Sequence, residues 1–230
     1  MSTVTAVCPV YCHTEDHKTY LKEALESVAA QTHRDLELVI VDDVSPIDIA
    51  PIVEAIDGLP ATLILRNAAN LGHAESRDVG IRAAEGELIA FLDHDDTWLP
   101  DKLARQVRVL DESPDAAMTF CDVEILRQAQ DDRQAQDDGP HAKGRYIDQR
   151  TVPERPSLVW FMTHSNCVIT VSSVLVRKQA MLDIGLFDSR LLTALLLRCL
   201  HEMAPLDKLH LLPTIARKLA GRAYWTLRRR

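Results

Sequence analysis

Residues 4–126 alternate short apolar runs with stretches of helical spacing, and this alternation constrains the fold more than any single motif. "VTAVCPVY" (4–11), "LELVIVDD" (36–43), "ATLILRN" (61–67), "ELIAFLD" (87–93) and "AAMTFCDVEIL" (116–126) each read as a strand. Between the first two, Tyr20, Leu21, Ala24, Leu25, Val28 and Ala29 recur at helical spacing. A Pro-containing turn and a short helix are expected near 47–57, and "HAESRDVGIRAAEG" (73–86) reads as a helix closing at Gly86. Pro100 opens a further helix in which Leu103, Val107 and Leu110 share a face. Strands alternating with helices predict an α/β fold: a Rossmann-like, mostly parallel central sheet flanked by helices, with right-handed crossovers. Ligands of such sheets bind beyond the carboxyl ends of the strands. Tyr11, Asp42, Asp43, Asn67 and the 93–96 cluster stand at those ends.

The stretch "IAFLDHDDTWLP" (89–100) runs from an apolar strand straight into Asp93, Asp95 and Asp96. One carboxylate there would suffice to cap the following helix. Three within four residues repel one another, and a divalent cation would resolve the repulsion. Hard oxygen ligands suit Mg²⁺ or Mn²⁺, which keep several waters and bind substrate phosphates. Asp42 and Asp43 admit two readings: a turn with Ser45 and Pro46, or acceptors facing a base or ribose in the crevice. In "NLGHAESRDVG" (70–80), Gly80 would let the helix approach the sheet closely, and Arg77 would stand near phosphate charge. His73, His94 and His164 lack metal-ligand spacing, and no GxGxxG or GxxxxGK[ST] is present.

Bulk properties narrow the classes further. The net charge of −8 makes nucleic acid an unsuitable general partner. Five cysteines, without a CxxC pair, read as reduced thiols of a cytosolic protein. The chain begins on a strand-like run, without a basic n-region or cleavage site, and no apolar run reaches the length of a spanning helix.

Taken in order, "VCPVY", "LKEALESVAAQT", "LELVIVDDVS", "NLGHAESRDVGIRAAEGELIAFLDHDD" and "WLPDKL" resemble the family 2 glycosyltransferases, which have the GT-A nucleotide-sugar-binding fold. The resemblance covers residues 3–126, with weaker support through 172–188. It implies metal-dependent transfer of a sugar from a nucleoside-diphosphate sugar to a sugar or lipid-linked acceptor, with inversion, in cell-envelope polysaccharide work. Pro9 and Tyr11 would flank the base. Asp42, Asp43 and Ser45 match the family's DDxS element, with Asp43 against the base. Arg77 matches the Arg of the family's "RN" pair, in which Asp78 here replaces Asn. "DHD" matches DxD: Asp93 would lie near ribose and diphosphate, Asp95 would ligate Mg²⁺ or Mn²⁺, and Asp93 and Asp96 would support it.

The pattern breaks after "GLFD". The family's acidic pair, which supplies the base that deprotonates the acceptor, has no counterpart, because Ser189 through His201 contain neither Asp nor Glu. Asp188 is the nearest carboxylate, and Asp183 and Glu202 are weaker candidates. "RQAQDDRQAQDD" (127–138) is one polar hexapeptide written twice and reads as a solvated insertion. Both features suit an eroded or rearranged C-terminal half, or a gene-model artefact. The tail "ARKLAGRAYWTLRRR" (216–230) sets Tyr224 and Trp225 among six Lys/Arg. It reads either as a solvated helix or as a peripheral contact with an anionic membrane on the cytoplasmic face.

The expected organisation is a donor-binding half (1–126), an acidic repeat and loop (127–156), a residual acceptor-side half (157–200) and a basic helical tail (201–230). Two alternatives to a working transferase remain on these residues. One is a nucleotide-sugar and metal binder that has lost its base. The other is a receiver-like signalling domain that holds Mg²⁺ with strand-end acids.

Overall fold

The computed structural model describes residues 2–121, 123 and 170–187. In chain order its elements are β1 (Val4–Val10), α1 (Glu15–Ala29), β2 (Leu36–Asp42), α2 (Ala50–Glu54), β3 (Ala61–Arg66), α3 (His73–Ala83), β4 (Leu88–Phe91), α4 (Lys102–Glu112), β5 (Met118–Phe120), a 3₁₀ turn (Val171–Ser173), β6 (Val174–Arg177) and α5 (Lys178–Asp183). The strands form one sheet in the order β3-β2-β1-β4-β6-β5. Strands β1 to β4 pair in parallel, and β6 runs antiparallel to both β4 and β5.

Both faces of the central strands are covered, which is why β1 and β4 read as continuous apolar runs. On one face Val4, Ala6, Cys8 and Val10 of β1 pack with Leu21 and Leu25 of α1 and Leu103 and Val107 of α4. On the other, Val7 packs with Ile81 of α3, Ile89 and Phe91 of β4, and Met181 of α5. The alternation along β1 follows the two-residue period of a strand. Helix α1 starts where Thr14 Oγ1 accepts the His17 amide at 3.2 Å, and Glu15 and Asp16 complement the helix dipole in its first turn. Gly80 brings α3 onto the sheet as expected, since a Cβ there would collide with the side chain of Val7.

Element boundaries shift from the expected ones in ways that matter for the site. β4 ends at Phe91, so Asp93 belongs to the loop. The fifth strand shrinks to three residues, and the fourth helix starts at Lys102 rather than at Pro100. Residues 174–177, expected on the acceptor side, insert between β4 and β5 and complete the same sheet as the donor half. The hexapeptide repeat 127–138, the candidate base Asp188, Glu202 and the tail 216–230 lie outside the described residues.

Pro9 marks the functional edge of the sheet. Residues of β1 point their amides alternately toward β2 and β4, and the amide of Val4 is spent on Asp35 O, next to β2. Odd-numbered residues therefore face β4. Pairing with β4 ends at Val7, whose carbonyl accepts the Leu92 amide at 3.0 Å. Pro9, which has no amide, stands just beyond that last rung, where no ladder bond is lost. The strands part there. Because β2 and β3 lie to one side of β1 and β4 to the other, this gap is the topological switch point at which α/β sheets open a crevice.

Candidate functional site

Four loops meet at the carboxyl edge of the parallel strands, and each is tied down by its own polar residue. After β1, Tyr11 emerges 36% exposed, while Pro9 stays buried in the strand. The Tyr11 ring lies 5.1 Å from that of His13, His13 stacks edge-on against His17 at 4.3 Å, and His17 meets His94 at 5.1 Å. The Tyr11 carbonyl accepts from His17 Nδ1 at 3.2 Å, which fixes the orientation of that ring.

After β2, Asp42 and Asp43 are both buried and do different work. Asp42 Oδ1 accepts the Ser45 amide at 2.8 Å, and Oδ2 pairs with Arg66. That is the turn-forming reading. Asp43 reaches across to the 67–72 loop. Its Oδ1 accepts from Asn67 Nδ2 at 2.8 Å and from the Leu71 amide at 2.7 Å, and its Oδ2 accepts the Gly72 amide at 2.8 Å. Val44 between the aspartate pair and Ser45 sits at φ +64°, a region that β-branched residues seldom occupy. The DDVS loop is therefore a stiff, internally bonded ledge.

After β4, the three aspartates diverge. Asp93 forms an ion pair with Arg77 of α3, and its amide donates to Ser172 Oγ at 2.9 Å. Asp96 Oδ2 accepts from Thr170 Oγ1 at 2.9 Å, and its amide closes a turn onto Asp93 O at 3.0 Å. Asp95 is exposed and makes no hydrogen bond or ion pair among the described residues. The mutual repulsion that the sequence implied is thus answered within the chain for two of the three. Trp98 locks the loop from below, its Nε1 donating to Ser172 O at 2.9 Å. Among the described residues no three His, Cys, Asp or Glu side chains are grouped to hold a metal.

Among the described residues, the bonds already made by Asp93 and Asp96 limit how Mg²⁺ or Mn²⁺ could be held. Such ions are commonly bound through one or two carboxylates, with waters and substrate phosphates filling the remaining positions. Asp95, exposed and unengaged among the described residues, would be the carboxylate for that role. Arg77, expected near phosphate charge, has its Nη2 committed to Asp93, and its Nε is buried without a hydrogen-bond partner among the described residues. His94 Nδ1 is likewise buried and unpartnered. Burial lowers the His94 pKa, with His17 and His73 adding to the effect and Asp95 and Asp93 opposing it. Burial also raises the Cys8 thiol, assisted by Asp93 and Asp95, which leaves it protonated and inert at neutral pH.

The Arg77–Asp93 pair and the Thr170–Ser173 buttress were missed in the sequence. A signal existed for the first. Arg77, Gly80, Ile81 and Ala84 follow the i, i+3, i+4, i+7 spacing of a sheet-facing stripe, and a buried Arg requires a carboxylate. For "TVSS" no local signal distinguishes a buttress from an ordinary loop.

A mostly parallel sheet with an antiparallel β6, opening at the β1–β4 switch point onto strand-end aspartates, is the layout of the GT-A class of nucleotide-sugar-binding proteins. The model of the family "Glycosyl transferase family 2" matches residues 7–175, more than half of the chain, and the chain belongs to that family. An uncharacterized glycosyltransferase of Haemophilus influenzae is 38% identical over 99 residues, covering 43% of this chain and 33% of its own. TuaG of Bacillus subtilis, a candidate teichuronic acid biosynthesis glycosyltransferase, is 29% identical over 126 residues, covering 54% and 48%. Among solved structures, S. aureus TarS 1-349 in complex with UDP-GlcNAc superposes with a TM-score of 0.60 at 21% identity, over 80% of this chain and 48% of its own. The mannosyltransferase PcManGT of Pyrobaculum calidifontis, in complex with GDP-Man and Mn²⁺, gives 0.54 at 19% identity, over 81% and 48%. The chain thus spans half or less of the length of these four proteins. No helix among the described residues is long and apolar enough to cross a membrane.

Proposed function

We propose that the chain carries the donor-binding half, residues 1–126, of an inverting glycosyltransferase that takes a sugar from a nucleoside-diphosphate sugar with Mg²⁺ or Mn²⁺. The observation that carries this reading is the contrast at the end of β4: Asp93 and Asp96 are held by Arg77 and Thr170, whereas Asp95 is exposed and unengaged among the described residues. The base subsite lies between Tyr11 and the Asp43 ledge, with Pro9 forming its floor. Asp42 shapes the ledge through Ser45, and Asp43 retains lone-pair capacity on Oδ2 toward the base. Asp93, fixed by Arg77, faces the ribose and diphosphate. Asp95 would hold the metal, with Asp93 and Asp96 orienting the loop from which it projects. The chemistry such an ion supplies is neutralisation of the diphosphate leaving group. The solved neighbours with UDP-GlcNAc and with GDP-Man and Mn²⁺ support this donor class.

Transfer also needs a carboxylate to take the acceptor's proton, and Asp188 is the candidate. The acceptor class is a sugar or lipid-linked sugar of the cell envelope, and TuaG, through the name it bears, supports this. The tail 216–230 would meet an anionic membrane at its cytoplasmic face. The absence of acids from Ser189 to His201 favours a second reading, in which the chain binds donor and metal without transferring. Calorimetry with UDP, GDP and dTDP, with and without Mn²⁺, tests the shared core of both readings. One nucleotide is expected to bind more tightly with Mn²⁺, and no binding under any condition would refute both. Hydrolysis or transfer of the sugar from the matching donor then separates enzyme from binder.

A further inference from the structure

The turn that follows α5 has an unusual backbone. Gly185 lies at φ +85°, and Leu186, which carries a Cβ, lies at φ +68°. Residues other than glycine hold that region only where surrounding contacts over-determine it. Leu186 is buried, and its amide donates to Met181 O at 2.9 Å. The next amide, that of Phe187, leaves the turn and donates to Asp78 Oδ1 on α3 at 2.9 Å. The Phe187 ring then meets Phe91, at the end of β4, edge to face, with centroids 5.3 Å apart and planes at 78°. On its other contact the guanidinium of Arg77 stands 5.9 Å from the ring centroid, within cation–π range.

Beside that ring, the side-chain hydrogen bond of Arg77 among the described residues goes from Nη2 to Asp93, while its buried Nε has no hydrogen-bond partner there. A guanidinium anchored through one nitrogen can pivot about that bond, and the face of Phe187 blocks the pivot. Two successive residues of α3 therefore grip one residue of the turn. Arg77 takes the ring, and Asp78 takes the amide. We infer that Phe187 is a positioning residue for the donor site, locking the Gly185–Phe187 turn to the Arg77–Asp93 pair so that turn and carboxylate keep one register. Its effect on ligand binding rests on the nucleotide-sugar reading above, whereas the contact itself does not.

Two measurements test it. In the ligand-free protein, Phe187→Leu and Asp93→Asn are combined in a urea-unfolding cycle; Leu keeps most of the apolar volume, so the turn stays packed. The double variant's unfolding constant should depart about threefold or more from the product of the single effects, as coupled neighbours do. Strict multiplicativity overturns the inference. In the second measurement, Mn²⁺ with whichever of UDP, GDP and dTDP binds the parent is titrated by calorimetry. Phe187→Leu should weaken binding about tenfold, the equivalent of about 1.4 kcal/mol. Phe187→Tyr, which keeps the ring, should stay within about twofold of the parent on the same scale. Asp78→Asn, which keeps an acceptor, should also stay near the parent, and Asp78→Leu should follow Phe187→Leu. Equal affinities for the Leu and Tyr variants at position 187 overturn the positioning role. Should the parent bind none of the three nucleotides, the nucleotide reading fails, and the unfolding cycle alone decides the inference.

Discussion

Arg77 on α3 and Asp93 beyond β4 form an ion pair that sits over the end of the sheet, with side-chain exposures of only 11% and 23%. They are sixteen residues apart in the sequence, and the passage of the chain from α3 into β4 brings them together. This pair occupies one of the three aspartates of the cluster, and Thr170 occupies another.

Removing one partner of such a pair should be worse than removing both. Arg77→Met leaves the Asp93 carboxylate partly buried and uncompensated, which should cost on the order of 3 kcal/mol. Adding Asp93→Asn should recover a large part of that loss. Urea unfolding of both variants checks it, and a double variant no more stable than Arg77→Met would contradict the pairing.

Asp43 accepts three hydrogen bonds, two of them from main-chain amides. Asp43→Asn replaces one acceptor oxygen with an NH₂ that must face a donor. A loss of about 2 kcal/mol is expected, together with faster hydrogen exchange at the Leu71 and Gly72 amides. Unchanged exchange at those two amides would show that the ledge is held by something else.

Val44 should respond to glycine differently from its neighbours. At φ +64° a β-branched side chain carries strain of roughly 1–2 kcal/mol, which Gly relieves. The greater freedom of Gly in the unfolded chain offsets about 0.5–1 kcal/mol of that. Val44→Gly should therefore fall within about 1 kcal/mol of the parent, whereas Val41→Gly, in the buried interior of β2, should cost about 3 kcal/mol or more. Similar losses at both positions would argue against the strained loop.

These three sites show how far the sequence could be read. Every strand and helix of residues 4–120 is visible in it: β1 and β4, buried along their whole length, announce themselves as apolar runs, the largely exposed β3 and short β5 are still apolar in sequence, and the longer helices carry a clear stripe. Gly80 was legible for the same reason. What sequence periodicity does not reveal is which polar group each aspartate meets. Asp42 and Asp43 look equivalent, yet one closes its own turn and the other reaches the 67–72 loop. Asp93, Asp95 and Asp96 look like one cluster, yet Arg77 and Thr170 divide it. Those partners are 16 and 74 residues away, and only the folded sheet supplies the distance.

Lys102 offers a test by pH. It is buried against the Trp98 ring, with Nζ 4.3 Å from the centroid, and donates to Gln106 Oε1 at 2.8 Å. Burial lowers its pKa to about 8, with Cys121 opposing. The unfolded value is about 10.4. Between the two the unfolded chain binds more protons, so this residue's contribution raises stability as pH rises from about 8 to 10.4, and is flat below. The raised thiols of Cys8 and Cys12 act in the opposite direction above their unfolded pKa, so the comparison is made as a difference between the parent and Lys102→Met. The variant should be more stable at pH 7, and its advantage should shrink toward pH 10. An advantage independent of pH would mean that Lys102 keeps its charge and an unshifted pKa in the folded protein.

The most direct test of the donor-site account is Mn²⁺-dependent nucleotide binding by Asp95→Ala. Calorimetric titration of the parent with UDP, GDP or dTDP should show affinity at least about tenfold higher with Mn²⁺ than with EDTA, a difference of about 1.4 kcal/mol. In Asp95→Ala that gain should vanish while the metal-free affinity and the melting temperature stay close to the parent's, since Asp95 makes no hydrogen bond or ion pair among the described residues. An undiminished Mn²⁺ gain in the variant would contradict the assignment of Asp95 as the metal-binding carboxylate.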